Sequence, residues 1–441
     1  MPCKRIPCGM RFCFSLTLFI CLLFQKKEGI FMQQTLKTIR FPHFFFLWFG
    51  AAVSMAEILA GGLLAPLGFQ DGLLAILGGH ALGTVLLVLC GLIGFREGLS
   101  AIESTRISFG VYGAKLFSVF NILQLVGWTS IMILAAARSL NETSRQLWQI
   151  DQYGLWCLIV GALVLFWIVL DREAGWKKAN MAAALLLFAL TLVMSSVVFS
   201  DTTVLSKPAE GGMPFGAGFE LSVVMPLSWL PLIADYTRFA RSGQGAAWGS
   251  GLGYFLGSCW MYIIGLSVAL VAGQADPAGM LLAANLGLSV LAIVLLATIT
   301  TTFMDAYSAG VSVHTLLPGF NEKHAALAVT VAGTLLALGV DMEQYEDFLL
   351  LIGSVFAPLF AILLSDYFLL GNRQLRPGLM VNWLALVIWA LGVALYYQLL
   401  KLDLVIGATI PVMFATAVTY ILVGRFAAKW SLQKDSLKTS A

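Results

Sequence analysis

Two hydrophobic segments about 170 residues apart are each interrupted near the middle by small or polar residues. The first, residues 44–67, carries Glu57 and a Gly-Gly pair, and the second, residues 221–239, carries two prolines around Ser228. An uninterrupted spanning helix needs none of these residues, whereas unwound backbone beside a cavity offers carbonyls and amides to a solute. Interrupted segments at matching positions of two halves therefore predict the solute-binding site of a secondary transporter.

The composition requires a nonpolar environment for most of the chain. Of its 441 residues, 59% are hydrophobic and 11% are charged, and the mean hydropathy is +0.89. A soluble domain of this length carries more charge, whereas apolar stretches of about 18–25 residues can span a bilayer as helices. The sequence therefore predicts an all-α integral membrane protein with about twelve spans. The predicted spans are residues 45–67, 72–94, 113–137, 152–170, 180–200, 217–239, 247–272, 281–317, 324–340, 347–370, 380–399 and 403–424.

The spacing of these spans predicts an internal repeat. Spans one and six, three and eight, and five and ten are each separated by about 170 residues, as in two joined copies of one five-helix unit. Because five is an odd number, the second unit enters the membrane inverted. We predict repeat one over residues 44–200, repeat two over residues 217–370 and two further helices over residues 380–424. The short loops indicate a single transmembrane transporter domain over residues 32–425.

Lysine and arginine are concentrated in alternate loops, which predicts the orientation. If the N-terminus is inside, the outer segments hold only Arg138, Arg145, Lys207 and Lys401, and the inner segments hold all the others that follow residue 31. This asymmetry places both termini in the cytoplasm and makes residues 426–441 a cytoplasmic tail. The expected location is the inner (cytoplasmic) membrane.

The N-terminal segment differs from the rest of the chain. Three basic residues precede a short apolar run, residues 12–24, which resembles a signal peptide but lacks a small-residue cleavage site. The run is also short for a membrane span. We expect residues 1–31 to be a non-native or disordered N-terminal extension, with Met32 as the natural first residue. The alternative is a real extra segment.

Several function classes are disfavoured. The seven cysteines show no metal-binding spacing, and a net charge of +3 gives no indication of nucleic-acid binding. No nucleophile–base pair or metal cluster can be placed at one membrane depth, which argues against an enzyme. We expect no cofactor; the expected partners are the lipid bilayer, a small heterocyclic solute and a coupling cation.

Ionisable or polar groups inside the membrane are functional candidates because their burial is costly. The pattern suits a flat heteroaromatic solute, since an indole offers a stacking face and amide, hydroxyl and carboxylate groups can meet the ring edge. Gln124 and Trp128 lie four residues apart, on one helix face. The alternative role of Trp128 and of Trp229 is packing. A structural role for Glu57 or Asp305 requires a buried partner. The substrate-site candidates are Glu57, Gln124, Trp128, Ser228, Trp229 and Asp305.

The coupling ion has two candidate sites. The hydroxyls of Thr300, Thr301 and Thr302, together with carbonyls near Ala56, are oxygen ligands suitable for Na⁺. Alternatively, Glu57 or Asp305 takes up and releases a proton. The threonines have hydrogen bonds to their own helix as an alternative role, and His80 is expected to be a hydrogen-bonded residue between helices.

A further set of polar residues lies near predicted helix ends. Charged groups near helix ends can reach the membrane interface, so we interpret these residues as cytoplasmic-side packing or gating groups and not as substrate ligands. They are Asp235, Tyr236, Arg238, Asp366 and Tyr367.

Four motifs occur in order along the chain: Gly127-Trp128, residues 228–241 (SWLPLIADYTRFAR), residues 305–310 (DAYSAG) and residues 354–368 (SVFAPLFAILLSDYF). They resemble motifs of the nucleobase:cation symporter-1 family, and the resemblance covers roughly residues 40–425. It implies a leucine-transporter-like fold of twelve helices with a five-plus-five inverted repeat, and alternating access coupled to a cation. Within that family the chain looks most like the bacterial cytosine permeases, especially the branch associated with hydroxymethylpyrimidine, a thiamin precursor.

The resemblance has one departure that bears on the substrate. Family members for neutral bases commonly place asparagine near the position of Asp305 and lack a carboxylate at Glu57. A carboxylate suits an exocyclic amine or a protonated ring nitrogen, which hydroxymethylpyrimidine and cytosine both offer. We expect a secondary active importer of a pyrimidine, best hydroxymethylpyrimidine, driven by Na⁺ or H⁺. The alternatives are a permease for cytosine or another base and, from a different class, a channel or a non-transporting solute sensor.

Overall fold

The structure is a computed structural model that describes residues 39–170, 199–272 and 288–439, apart from residues 201 and 210, with scattered residues between 185 and 196. The predicted extension over residues 1–31 lies outside this range, as does most of the predicted fifth span, residues 180–200.

The described chain is helical, and its helix positions follow the predicted spans. Six helical stretches are long and apolar enough, by length and composition, to cross a membrane, and shorter apolar helices accompany them. The last helix runs further than predicted, to Thr439. In chain order the α-helices are α1 (Phe41–Ala52), α2 (Met55–Leu63), α3 (Gly68–Glu97), α4 (Ala101–Ser104), α5 (Arg106–Trp148), α6 (Tyr153–Leu170), α7 (Phe215–Leu227), α8 (Leu230–Thr237), α9 (Gly243–Ala272), α10 (Leu288–Leu316), α11 (Glu322–Ala337), α12 (Tyr345–Leu364), α13 (Trp383–Leu399) and α14 (Thr409–Thr439). A π-helix, Ser365–Leu369, extends α12.

The first interrupted span breaks earlier than its glycines suggested. Helix α1 ends at Ala52 and α2 begins at Met55, with Ser54 extended at φ −140° and ψ 160°. The hydroxyl of Ser54 accepts a hydrogen bond from the backbone N–H of Glu57, at 3.3 Å, and so caps the new helix. The break therefore results from a serine cap and not from the Gly-Gly pair.

The glycines of α2 serve close packing against α9 instead. A Cβ atom on Gly61 would lie 2.2 Å from the carbonyl oxygen of Tyr262, and one on Gly265 would lie 1.9 Å from that of Ile58. Only glycine allows the two backbones to approach so closely, as is common between membrane helices. The packing fixes α9 against the segment that follows the first break.

The second interrupted span breaks where the sequence predicts. Helix α7 ends at Leu227 and α8 begins at Leu230, so Ser228 and Trp229 lie between them. Pro231 occupies the first turn of α8, where its missing N–H has no intrahelical partner to lose.

Packing divides the helices of the two repeats into two groups. Helices α1, α2, α3, α7, α8 and α9 pack on one another and form the first helix group, and α5, α6, α10 and α11 form the second. The first group therefore combines the first two spans of each predicted repeat, and the second group combines the third and fourth. Helices α12, α13 and α14 pack together beside them. Corresponding spans of the two predicted repeats therefore pack in the same helix group, and the last two predicted helices lie beside them.

Candidate functional site

One face of α5 brings polar groups to the second break. Asn121, Gln124 and Trp128 are spaced three and four residues apart, so they share this face. The side-chain amide of Gln124 donates to the backbone carbonyl of Ser228 at 2.8 Å, and that of Asn121 donates to the hydroxyl of Ser312 at 2.8 Å. The side-chain oxygens of both residues are buried and have no hydrogen-bond partner among the described residues. Gln124 thus presents a free acceptor beside the second break.

Asp305 lies on the face of α10 that contacts α1 and α5. Thr301 and Ser312 are on the same face, four residues before it and seven after it, and they contact the carbonyl of Ala51 and the amide of Asn121. Asp305 is therefore flanked on its helix by contacts to α1 and to α5. Its side chain is 3% exposed. None of its oxygens forms a hydrogen bond or an ion pair within the described ranges. An unpaired buried carboxylate is the strongest ligand signal in the structure.

Both candidate tryptophans are buried and held by other aromatic rings. The ring of Trp229 packs edge-on against Trp48, with centroids 5.5 Å apart, and Trp128 packs edge-on against Tyr345 and Phe348 at 6.1 and 5.4 Å. Such contacts fix the orientation of an indole. Trp229 is located at the second break, and Trp128 lies one turn beyond Gln124.

Glu57, expected at the substrate site, contacts α9 in the structure. Its Oε1 accepts a hydrogen bond from the hydroxyl of Tyr254 at 2.9 Å, and its Oε2 lies 2.6 Å from the hydroxyl of Ser258. Each of its oxygens therefore has a partner on α9. The hydroxyl of Ser258 also lies 2.7 Å from Nε2 of His80, which is a hydrogen-bonded residue between helices, as expected.

The candidate cation ligands differ in what their oxygens contact. The hydroxyl of Thr301 reaches the carbonyl of Ala51 at 3.4 Å, between α10 and the end of α1. Thr300 bonds back to its own helix, and the hydroxyl of Thr302 is buried with no hydrogen-bond partner in the part of the chain described. The carbonyl of Ala56 accepts from the hydroxyl of Tyr345 at 3.0 Å. Of these two backbone carbonyls, that of Ala51 contacts Thr301 and that of Ala56 contacts Tyr345.

Three gating candidates connect neighbouring helices: Asp235, Tyr236 and Arg238. A carboxylate oxygen of Asp235 accepts from the backbone N–H of Ala101 at 2.9 Å. The guanidinium of Arg238 donates to the hydroxyl of Tyr307 at 3.4 Å. The hydroxyl of Tyr236 donates to the carbonyl of Met304 at 3.1 Å. The contacts of Arg238 and Tyr236 join α8, in the first helix group, to α10, in the second.

The other two gating candidates, Asp366 and Tyr367, hold the π-helix that extends α12 to other parts of the chain. Asp366 accepts from the amide of Asn372 at 2.9 Å and from the hydroxyl of Tyr420, in α14, at 2.8 Å. The hydroxyl of Tyr367 donates to Glu97 at the end of α3. Both positions lie in the π-helix, away from Gln124 and the breaks.

Sequence reasoning missed Glu220, a further buried carboxylate. Its Oε1 accepts from the hydroxyls of Tyr396 and Thr409, both at 2.6 Å, and its Oε2 accepts from the backbone N–H groups of Ala408 and Thr409 at 2.8 and 2.9 Å. It caps the start of α14 and ties α7 to the last two helices. The signal was present, because a carboxylate inside predicted span 217–239 meets the same criterion that selected Glu57.

The described residues contain no group of three or more histidine, cysteine, aspartate or glutamate side chains that could hold a metal ion. The polar groups collected here are acceptors and hydroxyls around two helix breaks. They are suited to binding a solute and a hard cation.

Known proteins are similar to this chain in sequence. The chain is 25% identical over 358 residues to the cytosine permease of Escherichia coli strain K12, covering 79% of this chain and 84% of that protein. It is 24% identical over 425 residues to the hydantoin permease of Microbacterium maritypicum, covering 87% and 85%. These relatives are permeases, in agreement with the expectation of a transporter and not an enzyme.

Solved structures show the same architecture. MHP1, a nucleobase-cation-symport-1 family transporter, in a closed conformation with bromovinylhydantoin bound, superposes with a TM-score of 0.76 at 20% identity over 89% of this chain and 93% of that one. Its inward-facing conformation superposes with a TM-score of 0.74 at 22% identity, over 90% and 94%. The predicted leucine-transporter-like fold is confirmed, and the chain is a multi-pass membrane protein. The profile of the family described as permease for cytosine/purines, uracil, thiamine, allantoin matches residues 33–424. The chain therefore belongs to this family, and the resemblance to the nucleobase:cation symporter-1 family is confirmed.

Proposed function

We propose that the protein imports a pyrimidine-type heterocycle by cation-coupled alternating access, with hydroxymethylpyrimidine as the best candidate and cytosine as the alternative. The observation that carries the proposal is the unpaired, buried carboxylate of Asp305, together with the free oxygen of Gln124. The relatedness to a cytosine permease and a hydantoin permease supports the same class of solute.

The free groups of the site favour a solute that donates hydrogen bonds. An ionised carboxylate only accepts, and the amide nitrogen of Gln124 is already used by Ser228. A ring edge with an exocyclic amine or a protonated nitrogen therefore satisfies Asp305 and Gln124 together. Trp128 and Trp229 supply flat surfaces at the same level of the bundle. Glu57 is left out of this substrate site because both of its oxygens have partners on α9.

A cation bound by Ala51 and Thr301 would contact both helix groups. The carbonyl of Ala51 belongs to α1, in the first group, and Thr301 belongs to α10, in the second. A cation held between them stabilises one arrangement of the two groups over the other. Such a difference in affinity is what couples an ion gradient to a conformational change.

The loop charges support an orientation with both termini in the cytoplasm and the protein in the cytoplasmic membrane. In this orientation the contact between Arg238 and Tyr307 closes the cytoplasmic side between α8 and α10. Opening to the cytoplasm separates the two groups there. Arg238, Asp235, Tyr236, Asp366 and Tyr367 therefore act as packing or gating residues and not as ligands.

The test is uptake of labelled hydroxymethylpyrimidine and of labelled cytosine into proteoliposomes, each with an imposed Na⁺ gradient, an imposed proton gradient or none. We expect gradient-dependent accumulation of at least one of them. Protein-free vesicles of the same lipid are the control for passive entry. No accumulation of either compound under any gradient would overturn the assignment.

A further inference from the structure

A continuous row of hydrogen bonds runs through the first helix group beside the first break. Glu57 on α2 lies 2.6 Å from the hydroxyl of Ser258 on α9, and that hydroxyl lies 2.7 Å from Nε2 of His80 on α3. The other ring nitrogen of His80, Nδ1, lies 2.9 Å from the carbonyl oxygen of Ile76. All of these side chains are buried. Glu57, Ser258 and His80 are referred to below as the buried relay.

Both short contacts of Ser258 can be hydrogen bonds only if the buried relay holds one extra proton. The carbonyl of Ile76 can only accept, so Nδ1 of His80 carries a hydrogen. Ser258 has one hydroxyl hydrogen and can donate it either to Glu57 or to Nε2 of His80, but not to both. With an ionised Glu57 and a neutral His80, one of the two short contacts would bring two acceptors together.

Two arrangements satisfy both contacts, and they contain the same number of hydrogens. In one, protonated Glu57 donates to Ser258, which donates to His80. In the other, doubly protonated His80 donates to Ser258, which donates to an ionised Glu57. Removing the proton leaves a net negative charge in a nonpolar interior, which is costly.

Among the described residues, none contributes a positive charge to the surroundings of Glu57. The titratable groups that face Glu57 are Tyr254, Cys259 and Tyr262 on α9 and Tyr345 on α12. Helices α5, α7 and α10 also contact α2, and within the described ranges they bring no charged side chain into interaction with Glu57. Tyr262 packs its ring edge-on against His80, with centroids 4.6 Å apart.

We propose that Glu57, Ser258 and His80 form a proton-binding site, occupied by one proton in this conformation, and that this proton is carried with the solute. The coupling part of the proposal rests on the proposed function. Tyr254 provides the link to the solute, because it donates to Glu57 and also packs against Trp229 at the second break, with ring centroids 6.3 Å apart. Binding and release exchange one proton with water and make or break no other bond. The site is distinct from the cation ligands Ala51 and Thr301.

The proton itself is tested by infrared spectroscopy of the purified full-length protein, comparing wild type with Glu57→Gln. Glutamine donates to Ser258 through its amide and accepts from Tyr254, so the variant keeps every contact without a mobile proton. If Glu57 carries the proton, we expect Glu57→Gln to lose a protonated carboxylic acid band. If His80 carries it, we expect Glu57→Gln to lose a carboxylate band, and the wild type to show an imidazolium band that disappears in His80→Gln. An ionised Glu57 beside a neutral His80 would overturn the proposal.

The coupling is tested in proteoliposomes with labelled cytosine and labelled hydroxymethylpyrimidine. In Glu57→Gln we expect solute counterflow without a gradient to persist and accumulation driven by a proton gradient to fall to the level seen without one. Glu343→Gln is the matched control, since it makes the same change at an exposed glutamate outside the buried relay, and it should retain gradient-driven uptake. Accumulation by Glu57→Gln equal to wild type, or no response of wild type to a proton gradient, would overturn the coupling. If neither compound is carried at all, the proposed function fails, while the infrared result still decides whether the site holds a proton.

Discussion

The side-chain amide of Gln124 donates a 2.8 Å hydrogen bond to the backbone carbonyl of Ser228, the residue that follows the end of α7. This bond ties α5, in the second helix group, to the break between α7 and α8, in the first. It uses the amide nitrogen and leaves the oxygen of Gln124 buried with no partner among the described residues. One side chain thus both positions the break and offers an acceptor to a solute.

Gln124→Leu removes both roles at nearly constant volume. We expect the affinity for the transported pyrimidine to fall by the equivalent of about 0.5–1.5 kcal/mol for each neutral hydrogen bond that is lost. The measurement is the dissociation constant of the purified variant, with its thermal midpoint as the check on folding. Unchanged affinity with an unchanged midpoint would show that Gln124 does not contact the solute.

Asp305→Asn tests the charge at the centre of the site. Asparagine keeps the shape but replaces an acceptor with a group that also donates, so an amine-bearing ring loses a charge-assisted hydrogen bond of about 1.5–3 kcal/mol. We expect a large loss of affinity for hydroxymethylpyrimidine or cytosine by direct binding. Asp341→Asn is the matched control, because Asp341 is an exposed carboxylate paired with Arg138, and it should bind as wild type does. Equal affinities in the two variants would remove Asp305 from the site.

Thr301→Val tests the proposed cation site. The change keeps the shape and removes the hydroxyl that reaches the carbonyl of Ala51. If Na⁺ drives uptake, we expect the Na⁺ concentration for half-maximal uptake to rise roughly tenfold, the equivalent of about 1.4 kcal/mol. Thr300→Val serves as the comparison, since the hydroxyl of Thr300 bonds only within its own helix. A similar shift in both variants would point to helix distortion and not to a lost ligand.

The helices and the repeat could be predicted because hydrophobic length and spacing are properties of the sequence itself. The exact position of the first break could not. It depends on whether the Gly-Gly pair at Gly61 unwinds the helix or allows it to pack closely against another helix. The close packing is visible only in the structure, where a Cβ atom on Gly61 would lie 2.2 Å from the carbonyl oxygen of Tyr262. The serine cap at Ser54 is a local signal that competes with the glycines.

The residue types of the site could be predicted, but their partners could not. A carboxylate inside a span indicates function or pairing, and the sequence does not say which. Asp305 has no partner in the described structure, whereas Glu57 is bonded to Tyr254 and Ser258, some two hundred positions away along the chain. Such contacts depend on which helices become neighbours, and hydropathy carries no information about that.

Glu220 gives the clearest stability prediction. Glu220→Ala leaves the hydroxyls of Tyr396 and Thr409 and two backbone N–H groups at the start of α14 without their acceptor. Because each buried group left unsatisfied costs about 1–3 kcal/mol, we expect a clear fall in the thermal midpoint of the purified protein. Glu343→Ala, which changes an exposed glutamate, should leave the midpoint unchanged. If both variants melt at the wild-type temperature, water replaces the lost acceptor, and Glu220 does not hold α7 to the last two helices.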